Sequence, residues 1–191
     1  MQPDGLGYLR PVIDDAVCID CGLCAKKCVI VNPETTIIPQ DTFAAVRTDS
    51  EKIKLSSSGG VFAAIAECLI EKGWMVAGCI LDENLNPRHI LTDEVSKVRL
   101  MYGSKYVQSY TDGIYAQVAT ALKEGYNVLF SGTPCQVAAV KRFTKNHENL
   151  LTVEVICHGV PNVEMFHSAL EAYDKAAIKH FVFRDKGQGW T

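Results

Sequence analysis

Four cysteines fall within eleven residues near the start of the chain, at Cys18, Cys21, Cys24 and Cys28. Their order, C-x2-C-x2-C-x3-C, is the spacing of thiolates that bind 4Fe-4S clusters. Structural zinc sites usually join two C-x2-C units across a longer spacer, so the motif favours iron–sulfur chemistry over zinc. The first three cysteines are predicted to bind one cluster and Cys28 a neighbouring one. The sequence contains one such run, so each cluster needs further ligands.

The composition limits the class of protein. Of 191 residues, 48% are apolar, which is enough for a core, and the net charge of -3 gives no reason to expect nucleic-acid binding. The longest apolar stretch, residues 61–70, is too short to span a bilayer, and Met1–Gly5 does not resemble a secretory signal. Eight cysteines without an export signal favour metal chemistry over disulfides. The sequence therefore predicts a cytoplasmic protein.

Three short stretches of small or polar residues could bind a cofactor. Serines and glycines before a predicted helix at Val61 let a phosphate or flavin approach the backbone, and the alternative is an ordinary serine cap after a flexible loop. A loop around Lys105 offers a cation for a phosphate or a reduced flavin, the alternative being a solvated loop. A third loop follows a predicted strand at Phe130. The candidate cofactor-binding residues are Ser57, Ser58, Gly59, Gly60, Gly103, Ser104, Lys105 and Thr133.

The remaining cysteines divide into two pairs. Cys135 and Cys157 each follow a predicted strand, and loops at the carboxyl ends of parallel strands meet at one edge of a sheet. Their thiols could bind a cluster, act in catalysis or fill a small apolar space, and the sequence leaves these interpretations open. Cys68 and Cys79 lie inside a predicted helix and strand and are predicted to be core residues.

Beyond residue 55, predicted helices and strands alternate, which indicates an α/β fold with a largely parallel sheet and flanking helices. Residues 1–40 are predicted to form a partial ferredoxin-type module, and residues 41–191 the α/β unit. The predicted strands are Thr42–Arg47, Trp74–Leu81, His89–Thr92, Tyr126–Phe130, Leu151–Ile156 and His180–Arg184. The predicted helices are Val61–Lys72, Asp93–Met101, Asp112–Lys123, Pro134–Phe143 and Asn162–Lys175.

Together these motifs resemble the coenzyme F420 hydrogenase/dehydrogenase beta-subunit family of iron–sulfur flavoproteins. The resemblance runs through S-S-S-G-G-V-F at 56–62, G-S-K-Y-V-Q-S at 103–109, S-G-T-P-C-Q at 131–136, C-H-G-V-P at 157–161 and F-R-D-K at 183–186. Many family members join an N-terminal two-cluster ferredoxin to a flavin domain. The resemblance therefore implies that a second cysteine run precedes Met1, that the family sequence continues past Lys186, and that this chain is part of a longer protein.

The resemblance implies an oxidoreductase that passes electrons between 4Fe-4S clusters and a flavin, FAD or FMN, and on to coenzyme F420 or another organic substrate. A redox partner protein is expected. It also implies that further cysteines complete a cluster at Cys135 and Cys157. Two alternatives are a non-catalytic electron-carrier subunit and a transferase in which His158 activates Cys135 as a nucleophile.

Overall fold

The computed structural model describes residues 1–33, 38–174, 177–178 and 180–186. These residues form six strands and seven helices. In chain order they are β1 (Gln2–Pro3), β2 (Leu9–Arg10), α1 (Leu23–Lys27), α2 (Ser50–Lys54), α3 (Val61–Glu71), β3 (Met75–Leu81), β4 (Pro87–Thr92), α4 (Val95–Leu100), α5 (Ile114–Lys123), β5 (Val128–Gly132), α6 (Pro134–Phe143), β6 (Leu150–Glu154) and α7 (Val163–Leu170).

The main sheet has four strands in the order β4-β3-β5-β6. Strand β3 pairs in parallel with β5, and β5 pairs in parallel with β6. Strand β4 returns antiparallel along β3, with His89 opposite Cys79. Parallel neighbours need long crossovers, which the intervening helices supply, whereas a short turn suffices between β3 and β4. The predicted α/β fold and its largely parallel sheet are confirmed.

The sheet is covered by helices on both faces because its central strands alternate apolar side chains between the two sides. On one face, Ala77 and Phe130 pack with α5 and α6. On the other, Val76 and Leu129 pack with α3 and α4. Helices α3 and α5 are followed by Gly73 and Gly125, which adopt the left-handed backbone conformation that commonly ends a helix.

Two predicted strands are wrong. Residues 42–47 belong to no strand, and the Arg47 N–H donates to a loop, at the Gly59 carbonyl, at 2.8 Å. A strand forms only with a neighbouring backbone ladder, and none of the described residues forms a ladder with this segment. The described residues of 180–184 are also irregular, and Phe181 and Phe183 pack instead on Phe166 of α7. Helix α7 ends earlier than predicted, at Leu170, and Lys175 lies outside the described residues.

The N-terminal segment attaches to the α/β unit through polar contacts. None of the described residues before Ser56 is buried. The Tyr8 hydroxyl donates to the Val160 carbonyl at 3.1 Å, and the Asn162 amide donates to the Leu6 carbonyl. Gly7 adopts the left-handed conformation directly beside Glu164, where an added Cβ would lie 2.6 Å from a carboxylate oxygen. The short β1–β2 hairpin is therefore held beside the loop that follows β6. The division at residue 40 stays a prediction.

Candidate functional site

Cys18 and Cys21 lie in a loop, Cys24 lies in the short helix α1 and Cys28 caps the end of that helix. Asp20 and Gly22, between the first three cysteines, both adopt the left-handed backbone conformation, which turns the chain sharply within the run. Cys18, Cys21 and Cys24 are exposed and Cys28 is half-buried. The first three thiols are thus accessible to a cluster, and the fourth is partly accessible.

The backbone around Cys28 is arranged to stabilise a thiolate. Hydrogen bonds from the backbone N–H groups of Val31 and Ile30 lower the pKa of the Cys28 thiol, and the nearby Arg142 guanidinium acts in the same direction. Hydrogen bonds to cysteine sulfur are also a means by which proteins tune iron–sulfur clusters. The donors around Cys28 therefore fit a cluster ligand. Within the described residues, no group of three or more His, Cys, Asp or Glu side chains is arranged to hold a single metal ion.

The structure brings two of the predicted cofactor-binding stretches together. The Ser104 N–H donates to the Ser57 hydroxyl at 2.6 Å, which joins the loop before α3 to the loop after α4. Lys186, from the F-R-D-K motif, donates to the carbonyls of Ser58 and, at 3.0 Å, of Ile53. Three motifs that are far apart in the sequence therefore meet at the start of α3.

Gly59 and Gly60 serve the packing of the chain on itself. A Cβ on Gly59 would lie 2.4 Å from the Ala45 carbonyl oxygen, so the backbone of residues 45–46 occupies the space beside it. Gly60 has a φ of 70° as the N-cap of α3, and a Cβ there would lie 3.2 Å from that of Ser56. The small residues of this loop are thus explained by the approach of residues 45–47, and a ligand must contact the loop from another side.

Lys105 lies where α4 ends. Its ammonium group donates to the carbonyls of Leu100, at 2.8 Å, and Tyr102, at 3.0 Å, which satisfies acceptors that a helix end leaves free. Burial lowers the pKa of Lys105 to about 8. Burial likewise raises the pKa of the neighbouring Cys79 thiol to about 11, so this thiol stays protonated near neutral pH. Lys105 is therefore a partly desolvated cation, suited to an anionic ligand.

A chain of hydrogen bonds begins at Thr133, the N-cap of α6, and ends at Ser131 in the last part of β5. The Thr133 N–H donates to the Gln136 side-chain oxygen at 3.0 Å, and the Gln136 amide donates to the Ser109 hydroxyl at 2.8 Å. The Ser109 hydroxyl oxygen lies 3.3 Å from Nδ1 of His89, and Nε2 of the same ring lies 3.1 Å from the Ser131 carbonyl oxygen. A carbonyl can only accept, so Nε2 carries the hydrogen and Nδ1 accepts from Ser109.

This chain of bonds fixes the third predicted loop against the sheet. Burial lowers the pKa of His89 to about 4, so the ring is neutral at pH 7, and it stacks on Phe130 at 5.5 Å between ring centroids. Thr133 is thereby held beside Ser109 through Gln136. We define the cofactor seam as the polar surface formed by Ser57, Ser104, Lys105, Ser109, Thr133 and Gln136. His89, Ser109 and Gln136 were not predicted, although Ser109 and Gln136 lie within motifs that the sequence singles out.

A second polar cluster supports the seam from behind. Glu67 is 8% exposed on α3 and accepts hydrogen bonds from Arg47, from the Tyr102 hydroxyl and, at 3.0 Å, from Lys52. Burial alone raises the pKa of Glu67, but bonds from Tyr102, Arg47 and Lys52 outweigh it and lower the pKa to about 2. Because Tyr102 also binds Lys105 through its carbonyl, Glu67 anchors the backbone that positions Lys105. In the sequence, Glu67 could have been recognised as the one charged residue in the apolar run V-F-A-A-I-A-E at 61–67.

Cys135 and Cys157 follow β5 and β6, which are adjacent parallel strands, so both lie at the same edge of the sheet. Cys135 is exposed and Cys157 half-buried. The Cys135 sulfur lies 3.2 Å from the Thr133 hydroxyl, and no hydrogen bond joins it to His158 in the described part of the chain. Their role as cluster ligands stays a prediction.

The prediction that Cys68 is a core residue is wrong, and Cys79 is half-buried rather than fully buried. Helix α3 buries Ala63, Ala66 and Glu67, so at about 100° per residue Cys68 falls on the solvent face. Cys79 lies opposite His89 in the β3–β4 ladder, and its thiol donates to the Ile80 carbonyl at 3.6 Å. A residue in the middle of a helix or strand belongs to the core only if it also lies on the buried face of that element.

The geometry defines an α/β domain with a polar seam at the carboxyl ends of its parallel strands and an exposed cysteine loop. Residues 125–191 match a family model that describes the C-terminal part of the beta subunit of coenzyme F420 hydrogenase/dehydrogenase. The predicted resemblance to this family is thereby confirmed over that part of the chain.

A solved structure has the same fold. It is a chain of the xenon-derivatised F420-reducing NiFe hydrogenase complex from Methanosarcina barkeri, with a TM-score of 0.55 and 18% sequence identity. The alignment covers 69% of this chain and 50% of that one, so the chain spans half the length of its structural relative. No curated protein matches the sequence. In the described residues no helix is long and apolar enough to cross a membrane.

Proposed function

We propose that the protein is an iron–sulfur flavoprotein oxidoreductase that passes electrons between 4Fe-4S clusters and a flavin, and on to coenzyme F420 or another organic substrate. The observation that carries the proposal is the convergence of three motifs on one cofactor seam, in a chain whose C-terminal third matches a redox-subunit family. A fold alone does not fix a reaction, so the argument depends on the residues of the seam and of the cysteine loop.

The cysteine loop is proposed to bind clusters through Cys18, Cys21, Cys24 and Cys28, together with ligands from elsewhere. Its exposure and the N–H donors at Cys28 support this role. We also propose that Cys135 and Cys157 contribute to a separate cluster site. Helix α6 has ten residues and is therefore about 15 Å long. Since Cys28 lies beside its last turn and Cys135 in its first, the two thiols belong to different clusters.

The cofactor seam is proposed to hold the flavin, FAD or FMN. A flavin exchanges single electrons with clusters and electron pairs with an organic substrate. Ser57, Ser104 and Thr133 supply polar groups along the seam, and Lys105 supplies a positive charge beside them. Ser58, Gly59, Gly60 and Gly103 shape the loops that carry these groups. A cation next to the cofactor favours its reduced, anionic form, which assigns Lys105 an electrostatic role.

A redox partner protein is proposed to exchange electrons with the exposed cysteine loop. The proposed compartment is the cytoplasm, because exposed thiols stay reduced there. The match to a hydrogenase complex favours a subunit of an assembly, the role of the electron-carrier alternative. Turnover of reduced coenzyme F420 by the protein alone would distinguish an enzyme from a carrier.

The first experiment is anaerobic purification followed by absorption spectroscopy and by iron, sulfide and flavin analysis. We expect both a cluster and a flavin. Lys105→Met is expected to lower flavin affinity, with Lys97→Met as the control because Lys97 is an exposed lysine paired with Glu94 on α4. A colourless protein after reconstitution with iron, sulfide and flavin would refute the proposal and favour the cysteine-transferase alternative.

A further inference from the structure

The ends of α1 and α6 are joined by reciprocal hydrogen bonds, in which a cationic side chain of each helix donates to a backbone carbonyl of the other. Lys27, at the end of α1, donates to the Arg142 carbonyl in the last turn of α6 at 3.2 Å. Arg142 donates in return to the Lys27 carbonyl at 3.3 Å and to the Asn32 carbonyl. Helix C-termini leave carbonyls without intrahelical partners, and cations near them are favourable. Each helix thus caps the other.

Arg142 reaches both sides of the turn that contains Cys28. Lys27 precedes this cysteine directly, and Asn32 follows it by one turn, its own amide donating to the Ala25 carbonyl at 2.9 Å. A guanidinium group carries several donors in a fixed plane, so it can hold two carbonyls at once. Arg142 therefore orients the Cys28 end of the loop, in addition to attaching it.

The N-terminal segment is consequently held at two distant places. Residues 6–9 are bonded to the loop after β6 and, through the Leu9 N–H, to Gln108 at 3.4 Å, both at the carboxyl edge of the sheet. The Arg142 contacts lie at the end of α6, a helix of ten residues that is about 15 Å long and whose first turn borders the cofactor seam. Cys18, Cys21 and Cys24 lie in the chain between these two attachments, and Cys28 lies at the second one.

We propose that Arg142 is a positioning residue for electron transfer, which fixes the cysteine loop one helix length from the cofactor seam. This inference rests on the proposed function. When bound, the clusters would supply single electrons received from a reduced partner protein, and the flavin would supply a site that accepts two electrons together with protons. Because no described residue before Ser56 is buried, polar contacts such as those of Arg142 set the separation between the two centres.

The test compares Arg142→Ala with Arg142→Lys and with Lys141→Ala, a neighbouring change of equal charge on α6. The first measurement is hydrogen–deuterium exchange of the protein without cofactors. We expect faster exchange over residues 25–33 in Arg142→Ala but not in Lys141→Ala. Unchanged exchange in Arg142→Ala would overturn the docking role.

The second measurement is made on protein reconstituted with iron, sulfide and flavin, with the content of each determined chemically. Stopped-flow absorption then follows flavin reduction after rapid reduction of the clusters. We expect Arg142→Ala to slow this step roughly tenfold or more at unchanged cofactor content, since small misplacements of reacting groups have effects of this size. Guanidinium ion should restore part of the rate, and Arg142→Lys should retain part of it because a single ammonium cannot span both carbonyls.

An unchanged rate in Arg142→Ala at full cofactor content would overturn the positioning role. If the unmodified protein takes up neither iron nor flavin, the proposed function fails instead. The exchange measurement would still decide whether Arg142 docks the loop, so the two failures are distinguishable.

Discussion

Replacing Glu67 by glutamine tests whether one carboxylate holds the support of the cofactor seam together. The pKa of Glu67 falls from 4.5 in an unstructured chain to about 2 in the fold. At about 1.4 kcal/mol per pKa unit, the ionised carboxylate contributes about 3 kcal/mol to the free energy of unfolding. Glu67→Gln keeps the size of the side chain but leaves Arg47 and Lys52 without their anion. We expect a loss of about 3 kcal/mol at pH 7.

The pH dependence makes this expectation specific. Because the pKa of Glu67 is lowered on folding, its contribution is complete above about pH 4.5 and is lost as the pH falls toward 2. Urea unfolding of both proteins at several pH values should show a deficit at pH 7 that shrinks below pH 4.5. The control is Glu94→Gln, since Glu94 pairs with Lys97 on the exposed surface of α4 and its loss should matter much less. Equal losses in both variants, or a deficit for Glu67→Gln that is independent of pH, would refute the reasoning.

Burial lowers the pKa of His89 to about 4, so wild-type stability should fall between pH 6.5 and 4 by about 3 kcal/mol, and His89→Gln should flatten this slope in urea unfolding. Lys105 should become acylated by an amine-reactive reagent with a midpoint near pH 8, measured by peptide mass spectrometry, and a midpoint above pH 10 would contradict its burial. In the protein without cofactors, a thiol reagent should label Cys135 at least as fast as Cys157 and much faster than Cys79, whose thiol pKa is about 11, and equal rates would count against the described exposures. Gly59→Val should destabilise the fold with or without flavin, because its side chain would displace the Ala45 carbonyl, whereas a loss of flavin without a loss of stability would point to a ligand contact.

Local patterns predicted most of the α/β unit. Helix α6 was predicted at its observed bounds because Pro134 marks its start without help from tertiary structure. The structure adds a capping box between Thr133 and Gln136 at the same place. The β3–β4 pair and the strands β5 and β6 followed from apolar runs separated by turn residues. The strand predicted at 42–47 was wrong because it depended on contacts that are distant in the sequence. Its apolar residues resemble a strand, but whether a strand forms depends on a partner elsewhere in the chain.

The sequence predicted which loops carry the candidate site, but not the hydrogen bonds that join them. Sequence patterns identified the loops that carry Ser57, Lys105 and Thr133, because small and charged residues beside predicted helix ends are visible locally. The pairing of His89 with Ser109 required the register of β4 on β3 and the position of the loop after α4. The role of Glu67 was missed because sequence periodicity does not reveal that Arg47 approaches it from another segment.

The hydrogen-bond chain from Thr133 to Ser131 has a consequence for proton movement. A proton wire needs members that can both release a proton at one end and take one up at the other. Here the first donor is a backbone amide and the last acceptor is a backbone carbonyl, and neither exchanges protons readily near neutral pH. The neutral His89 therefore has a structural role, since its two hydrogen bonds hold the loops in place and pass no proton along the chain. Under the proposed function, a proton taken up at the cofactor seam must therefore arrive by another route, and Lys105, with a pKa of about 8, is the titratable group of the seam best matched to deliver it.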